Sequence, residues 1–88
     1  MSDAAVHAVV VTLYTKPGCH LCEPVADTIA AAAKLRSFQA TTRNILADAA
    51  DYERYKHAIP VVTINGTEVA RYRLTLDHLL AAIDRARQ

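Results

Sequence analysis

A strand-like segment that stops abruptly and gives way to a helix is the feature that most constrains how this chain can fold. Residues 6–14 (VHAVVVTLY) are rich in β-branched side chains and nearly continuous in apolar character, which is typical of a central strand covered on both faces. Pro17 and Gly18 end this strand. The residues that follow form one apolar stripe at helical spacing: Leu21, Val25, Ile29, Ala32 and Ala33. Because proline fits a helix only in its first turn, Pro24 places the helix start at or just before Cys22.

The rest of the chain alternates between strand and helix patterns and predicts an α/β fold. The segments are a strand over 37–45, a short helix over 47–56, a strand over 59–64, a returning strand over 67–73 and a last helix after Thr75. Asp48 and Thr75 are predicted to cap the two helices, and Asn65 with Gly66 predicts a hairpin turn. The order is therefore β-α-β-α-β-β-α. A helix joins the first two strands, which can be parallel, and a hairpin joins the last two, which are antiparallel. We expect a mixed four-stranded sheet flanked by helices.

Length and charge limit both the number of domains and the classes of partner. Eighty-eight residues, 52% of them hydrophobic, are expected to form a single domain over 1–88, with 1–5 as a frayed end. The net charge is +1 and the basic residues are scattered, which argues against a nucleic-acid surface. The apolar run 6–14 is too short to span a membrane, and no basic segment of a secretion signal precedes it. We therefore expect a cytoplasmic monomer with no nucleic-acid or membrane partner.

Both cysteines of the chain, Cys19 and Cys22, lie in the segment that joins the first strand to the first helix. Open α/β sheets place ligands at this end of a strand. Cys19 precedes the first helical turn, where unpaired backbone N–H groups and the helix dipole stabilise a thiolate, and Lys16 adds a positive charge. Such cysteines have a pKa below the ordinary value of ~8.5. We therefore predict a redox dithiol, with Cys19 exposed and nucleophilic and Cys22 more buried and placed to resolve a mixed disulfide.

Other interpretations of the cysteine pair stay open at this point. Cys19 and Cys22 could be ordinary small apolar residues, although a Cys-x-x-Cys pair between a strand and a helix is a specific context. A zinc site needs four ligands. His20 adjoins the pair, but the other three histidines show no ligand spacing, so no metal ligand is assigned. An iron–sulfur cluster that bridges two chains and draws ligands from each is the third interpretation.

Two segments of the sequence resemble a known family. Residues 14–22 (YTKPGCHLC) resemble the active-site segment of the glutaredoxins in the thioredoxin superfamily, and residues 59–62 (IPVV) resemble their strand-opening proline. The chain is most similar to a glutaredoxin-like group of small bacterial proteins once classed as a domain of unknown function. The resemblance implies a thioredoxin-like fold and a dithiol–disulfide oxidoreductase, with Cys19 as nucleophile and Cys22 as resolving thiol. It also implies a cis bond before Pro60, whereas the frequencies of X–Pro bonds alone predict trans.

The resemblance also implies how a substrate is held. The main chain of Ile59 pairs with the cysteine of a bound substrate or glutathione, and Pro60 lies against the cysteine pair. Lys16 contacts the glutathione carboxylate or supports the thiolate. The chain departs from the family where a Gly-Gly pair usually precedes the last helix, because Leu74 and Thr75 stand there. The amide and hydroxyl of Thr75 still offer donors to a carboxylate.

The expected partners are a disulfide-containing protein or small-molecule disulfide, together with glutathione or a thioredoxin-reductase-type reductant. No bound cofactor is expected, and glutathione is a candidate co-substrate. Two other functions are compatible with the sequence. One is a thioredoxin-fold binding module with little turnover, which the missing Gly-Gly pair favours. The other is the iron–sulfur carrier that bridges two subunits.

Overall fold

Residues 8–87, the part of the chain that the computed structural model describes, alternate strands and helices in the predicted order. The elements are β1 (Val10–Thr15), α1 (Cys22–Ala33), β2 (Gln39–Asn44), a 3₁₀ turn (Ile45–Ala47), α2 (Ala49–Tyr55), β3 (Val61–Ile64), β4 (Thr67–Arg71) and α3 (Leu76–Ala86). The four strands form one mixed sheet in the order β2-β1-β3-β4, which confirms the predicted architecture. No helix in this range is both long and apolar enough to cross a membrane.

β1 lies at the centre of the sheet, between β2 and β3. It runs parallel to β2, in a register that begins with Val10 beside Gln39, since α1 supplies the crossover that a parallel pair requires. β1 runs antiparallel to β3, and β3 and β4 form the predicted hairpin. Asn65 and Gly66 have positive φ values of 52° and 86°, as the hairpin turn requires. The carboxyl ends of β1 and β2 and the start of β3 consequently lie at one edge of the sheet.

The two faces of the sheet bury separate apolar clusters. The face covered by α1 and α3 contains the larger cluster, which includes Val11, Leu13, Val25, Ile29, Val62, Leu79 and Ile83. The face covered by α2 contains the smaller cluster of Ile45, Tyr55, Ala58 and Val61. Leu79 and Ile83 have no exposed surface, and burying such a side chain contributes roughly 1.5–3 kcal/mol. The larger cluster therefore fixes α1 against the sheet, and with it the loop that enters its first turn.

Several element boundaries differ from the predicted ones. β1 spans Val10–Thr15, whereas the strand was predicted over 6–14. Residues 1–7, which include the predicted frayed end and the start of that strand, lie outside the described range. The 3₁₀ turn Ile45–Ala47 replaces the end of the strand predicted over 37–45. β3 and β4 are also shorter than predicted. Both keep their predicted ends at the hairpin turn, and β4 stops before Tyr72, whose positive φ of 65° does not fit a strand.

Both predicted helix caps are present. The Asp48 side chain accepts a hydrogen bond from the Asp51 amide at 3.0 Å, and the Thr75 hydroxyl accepts one from the His78 amide at 3.1 Å. These bonds satisfy amides that have no partner within the first helical turn. Asn44, which the sequence pattern did not single out, caps the 3₁₀ turn in the same way.

Candidate active site

The loop between β1 and α1 holds both cysteines in a series of tight turns. Gly18 has a positive φ of 81°, which glycine adopts without the steric penalty of a Cβ atom. The Cys19 amide donates a hydrogen bond to the Lys16 carbonyl at 3.2 Å, and the Cys22 amide donates one to the Cys19 carbonyl at 3.3 Å. Pro24 lies in the first turn of α1, where it displaces no intrahelical hydrogen bond. The local sequence thus leads the chain from β1 into a helix that starts at Cys22.

Cys19 and Cys22 are joined by a disulfide bond, with their Cα atoms 5.4 Å apart. Cys22 has only 5% of its surface exposed, whereas Cys19 is half-buried and reaches solvent. Cys22 is thus the more buried residue, as expected, whereas Cys19, which was expected to be exposed, is half-buried. A thiol or disulfide in solution therefore has access to the Cys19 side of the pair.

The start of α1 is electrostatically suited to negative charge. Its N-cap residue is Leu21, which offers no side-chain cap. Within residues 8–87, the amides of His20 and Leu21 donate no hydrogen bond to the protein. Unpaired amides at the positive end of the helix dipole favour an anion such as a Cys19 thiolate. The His20 and Glu23 side chains lie 3.4 Å apart but are 92% and 74% exposed, so this pair adds little stability.

An open cavity of about 330 Å³ lies beside the disulfide. Its lining is formed by Leu13, Thr15, Lys16, Gly18, Cys19, Cys22, Glu23, Ala26 and Thr42. The structure thus brings Lys16 and both cysteines to one cavity, with Lys16 as the positive and Glu23 as the negative charge of its lining. Across the described part of the chain, no group of three or more His, Cys, Asp and Glu side chains is arranged to hold a metal ion.

The peptide bond between Ile59 and Pro60 is cis. This agrees with the resemblance to the glutaredoxins and corrects the trans bond predicted from X–Pro frequencies alone. Pro60 is buried and Ile59 is half-buried. Because Val61 pairs with Tyr14, Pro60 lies at the edge of the sheet where β1 ends and the cysteine loop begins. The proline loop, residues 57–60, therefore shares this edge with the cysteines.

Thr75 lies apart from the cysteine cavity. Its hydroxyl caps α3, and its cavity of about 310 Å³ is lined by Val69, Ala70, Arg71, Arg73, Leu74, Thr75 and His78. Leu74 contacts α1, because the Thr28 hydroxyl shares its one hydrogen between the Pro24 carbonyl at 3.0 Å and the Leu74 carbonyl at 3.3 Å. The Leu74 side chain also packs against the larger cluster. The segment that precedes α3 is consequently anchored to the helix that carries Cys22.

Tyr72 and Thr28 lie near the site and are not predicted from the sequence. Tyr72 follows β4 with a φ of 65°. Its amide donates a hydrogen bond to the Pro60 carbonyl and its hydroxyl donates one to the His57 carbonyl, both at 2.7 Å. No sequence signal marks either residue, because a threonine within a helix and a tyrosine after a strand are both ordinary.

The end of β1 is also supported from the face of the sheet that α2 covers. Arg43 on β2 donates a hydrogen bond to the buried carboxylate of Asp51 at 2.9 Å. This hydrogen bond and the negative charge of Asp51 raise the pKa of Arg43 above its ordinary value. The Arg43 guanidinium lies 6.0 Å from the ring centroid of Tyr14, which packs on Tyr55 with ring centroids 4.6 Å apart. These contacts hold Tyr14, two residues before Lys16.

The sheet order, the placement of the helices and the disulfide at the first strand–helix junction define a protein with the thioredoxin fold. The chain superposes on a mutant thioredoxin from Halobacterium salinarum with a TM-score of 0.68. The match covers 98% of this chain and 81% of that chain at 15% identity. At this identity the likeness establishes the fold alone.

Residues 10–84 match the family described as "Glutaredoxin-like domain (DUF836)", and the chain belongs to this family. XcR50 from X. campestris is similar to it with a TM-score of 0.71 and 28% identity, over 85% of this chain and 96% of that chain. Protein Ne2328 from Nitrosomonas europaea is similar with a TM-score of 0.75 and 25% identity, over 85% and 91%. No curated protein matches the chain. The family confirms the resemblance that residues 14–22 and 59–62 carry.

Proposed function

We propose that this protein is a thiol–disulfide oxidoreductase that works through the Cys19–Cys22 dithiol. The observation that carries the proposal is the asymmetry of the disulfide, in which Cys19 reaches solvent and Cys22 is 5% exposed. The pair stands at an uncapped helix N-terminus, where a thiolate is favoured. A disulfide between cysteines three positions apart constrains the unfolded chain less than one that closes a long loop. This favours a chemical role over a structural one.

In the proposed reaction, the Cys19 thiolate attacks one sulfur of a substrate disulfide. A mixed disulfide forms, and the other half of the substrate leaves as a thiolate. Cys22 then loses its proton and attacks the Cys19 sulfur, which closes the protein disulfide and releases the second substrate thiolate. Two electrons pass from the dithiol to the substrate, and the two protons of the protein thiols balance the two product thiolates. Two molecules of glutathione, or one dithiol of a reductase, then reduce the protein disulfide.

The substrate in this proposal is a disulfide of a protein or of a small molecule. Lys16 is assigned to a substrate carboxylate or to the thiolate, because it lines the same cavity as the cysteines. The main chain of Ile59 pairs with the substrate cysteine beside Pro60. Thr75 is the proposed donor to a glutathione carboxylate. Its hydroxyl accepts from the His78 amide at 3.1 Å and keeps its own O–H for donation. Thr75 lines a different cavity from the cysteines, however, which favours a thioredoxin-reductase-type reductant over glutathione.

Single cysteine variants test the redox function and the two roles. C22S keeps the attacking thiol and lacks the resolving one, so it is expected to accumulate a mixed disulfide with a peptide disulfide, detected by intact mass. C19S is expected to form none in the same time, because its remaining thiol is buried. Equal trapping by both variants would contradict the assignment of roles. The absence of trapping in both would contradict the redox function.

A coupled assay identifies the reductant. With the wild-type protein, NADPH is expected to be consumed faster by thioredoxin reductase than by glutathione reductase with glutathione. The rate measured with C19S is subtracted as background in both assays. Turnover in neither assay would favour the binding module with little turnover. A brown colour and dimerisation after anaerobic purification would favour the bridging iron–sulfur carrier. We further propose a cytoplasmic location. We also propose a monomer without a bound cofactor; size-exclusion chromatography checks the monomer and an absorption spectrum checks the cofactor.

A further inference from the structure

Tyr72 holds the proline loop, residues 57–60, at both of its ends. The Tyr72 amide donates a hydrogen bond to the Pro60 carbonyl at 2.7 Å, which continues the β3–β4 ladder by one step. The Tyr72 hydroxyl donates a hydrogen bond to the His57 carbonyl, also at 2.7 Å. A single residue outside the loop therefore fixes the first and last carbonyl of the segment that contains Ile59.

The backbone of Tyr72 adopts a conformation that tyrosine disfavours. Its φ is 65°, and the Arg73 amide donates a hydrogen bond across it to the Arg71 carbonyl at 2.7 Å. An i to i+2 hydrogen bond around a residue with positive φ is a rare and strained γ-turn. Glycine would adopt this φ more readily. What tyrosine offers here and glycine lacks is the phenol side chain, whose hydroxyl bonds the His57 carbonyl. Residues in such strained conformations persist only where the surrounding contacts hold them in place, and they are concentrated at functional sites.

Burial does not explain Tyr72. Its side chain is 48% exposed, and within residues 8–87 it belongs to neither of the two apolar clusters. Ile59, in contrast, packs against the smaller cluster. This packing supports the proline loop from the face of the sheet that α2 covers. The hydrogen bonds of Tyr72 hold the same loop from the side of β4. Ala58 belongs to the same cluster and Pro60 is fully buried, so Tyr72 adds polar contacts to a loop that apolar packing also holds.

We infer that Tyr72 is a positioning residue for the redox site, which holds the proline loop so that the Ile59 main chain meets the substrate in a fixed orientation. This inference rests on the proposed oxidoreductase function. Tyr72 acts through the loop and not on the sulfurs, so it sets the affinity for the substrate and not the rate of thiol–disulfide exchange. Loss of the phenol is expected to raise KM and to leave kcat nearly unchanged.

Three variants test this role. Y72F removes the hydroxyl and keeps the strained backbone, whereas Y72G removes the hydroxyl and relieves the strain. Y52F is the matched control, because Tyr52 is 41% exposed and lies on α2. We expect both Tyr72 variants to raise KM for a peptide disulfide by roughly three- to tenfold, the effect of about one lost neutral hydrogen bond, with kcat retained. Y72G is expected to be at least as resistant to urea as Y72F, so KM and stability change independently.

Amide hydrogen exchange gives a readout that needs no turnover. Residues 57–59 are expected to exchange faster in Y72F than in the wild type and Y52F, while the amides of β1 exchange equally in all three. Unchanged exchange in Y72F, a KM that follows stability across the variants, or an equal rise of KM in Y52F would overturn the inference. A wild-type protein without any turnover would remove the oxidoreductase function and the link to substrate. The exchange rates would then still decide whether Tyr72 holds the loop.

Discussion

At the scale of single residues, the cysteine loop depends on the backbone of Gly18. Its φ is 81°, and a Cβ atom built there meets no atom within 4 Å. Substitution therefore costs backbone strain and no steric clash. G18A is expected to lower the free energy of unfolding by roughly 1–2 kcal/mol, measured by urea denaturation of the oxidised protein.

Gly66 provides the control for Gly18, because its φ is 86° and its Cβ position is equally open. G66A is expected to lose a similar amount of stability. Only G18A should change the rate at which iodoacetamide alkylates reduced Cys19, since only Gly18 lies in the cysteine loop. Equal alkylation rates in G18A, G66A and the wild type would show that the φ of Gly18 does not position Cys19.

The residues of the site differ in how far the sequence alone predicts them. Cys19, Cys22 and Lys16 come together because they belong to one short loop, so their spacing already places them. The cis bond before Pro60 required a family resemblance, because the local sequence favours trans. Tyr72 could not be predicted at all. Its hydroxyl donates a hydrogen bond to a carbonyl 15 positions away, and no local pattern encodes such a contact.

At the scale of elements, the cap of α2 links stability to pH. The hydrogen bond from the Asp51 amide is the main cause that lowers the pKa of Asp48. A carboxyl with a lower pKa in the folded than in the unfolded state stabilises the fold above its unfolded pKa, and this contribution is lost as the pH falls through the folded pKa. The free energy of unfolding is therefore expected to fall below pH ~4. D48N should show a shallower fall, because asparagine caps a helix without titrating.

Urea denaturation at a series of pH values checks the Asp48 prediction. D48N is expected to keep part of the acid dependence, because hydrogen bonds from Arg36 and Arg71 lower the pKa values of Asp84 and Glu68. Near neutral pH its stability should match that of the wild type. The same pH dependence in D48N and the wild type would mean that the pKa of Asp48 does not differ between the folded and unfolded states.

Elements with local signals were predicted well, and those without were not. The order of strands and helices follows from patterns within each segment. Asp48 and Thr75 each accept a hydrogen bond from a residue three positions ahead. The turn at Asn65 and Gly66 follows from the positive φ that these two residue types tolerate. The ends of β3 and β4 instead depend on which residues of the two strands still pair with each other, and the pattern within one segment does not show this. The 3₁₀ turn Ile45–Ala47 buries Ile45 in the smaller cluster, a tertiary contact that the strand pattern does not show.

At the scale of the whole molecule, the two apolar clusters on opposite faces of the sheet both hold parts of the site. The larger cluster holds α1 and therefore the start of the helix at Cys22. The smaller cluster holds Tyr14 and Ile59, which lead into the cysteine loop and the proline loop. The sheet edge between them carries the disulfide. Damage to the larger cluster is therefore expected to disturb the site through α1.

The substitution L79A tests how far stability depends on the larger cluster. Leu79 on α3 is fully buried, whereas Leu21 beside the disulfide is 61% exposed. L79A is expected to lower the free energy of unfolding by roughly 2–5 kcal/mol, a large part of the 5–15 kcal/mol that is typical of a domain. L21A, the same substitution at an exposed position, should change it by less than roughly 0.5 kcal/mol. Equal stability of both variants would mean that packing of α3 against α1 does not hold the fold, and that the helix start at Cys22 is fixed by its own loop.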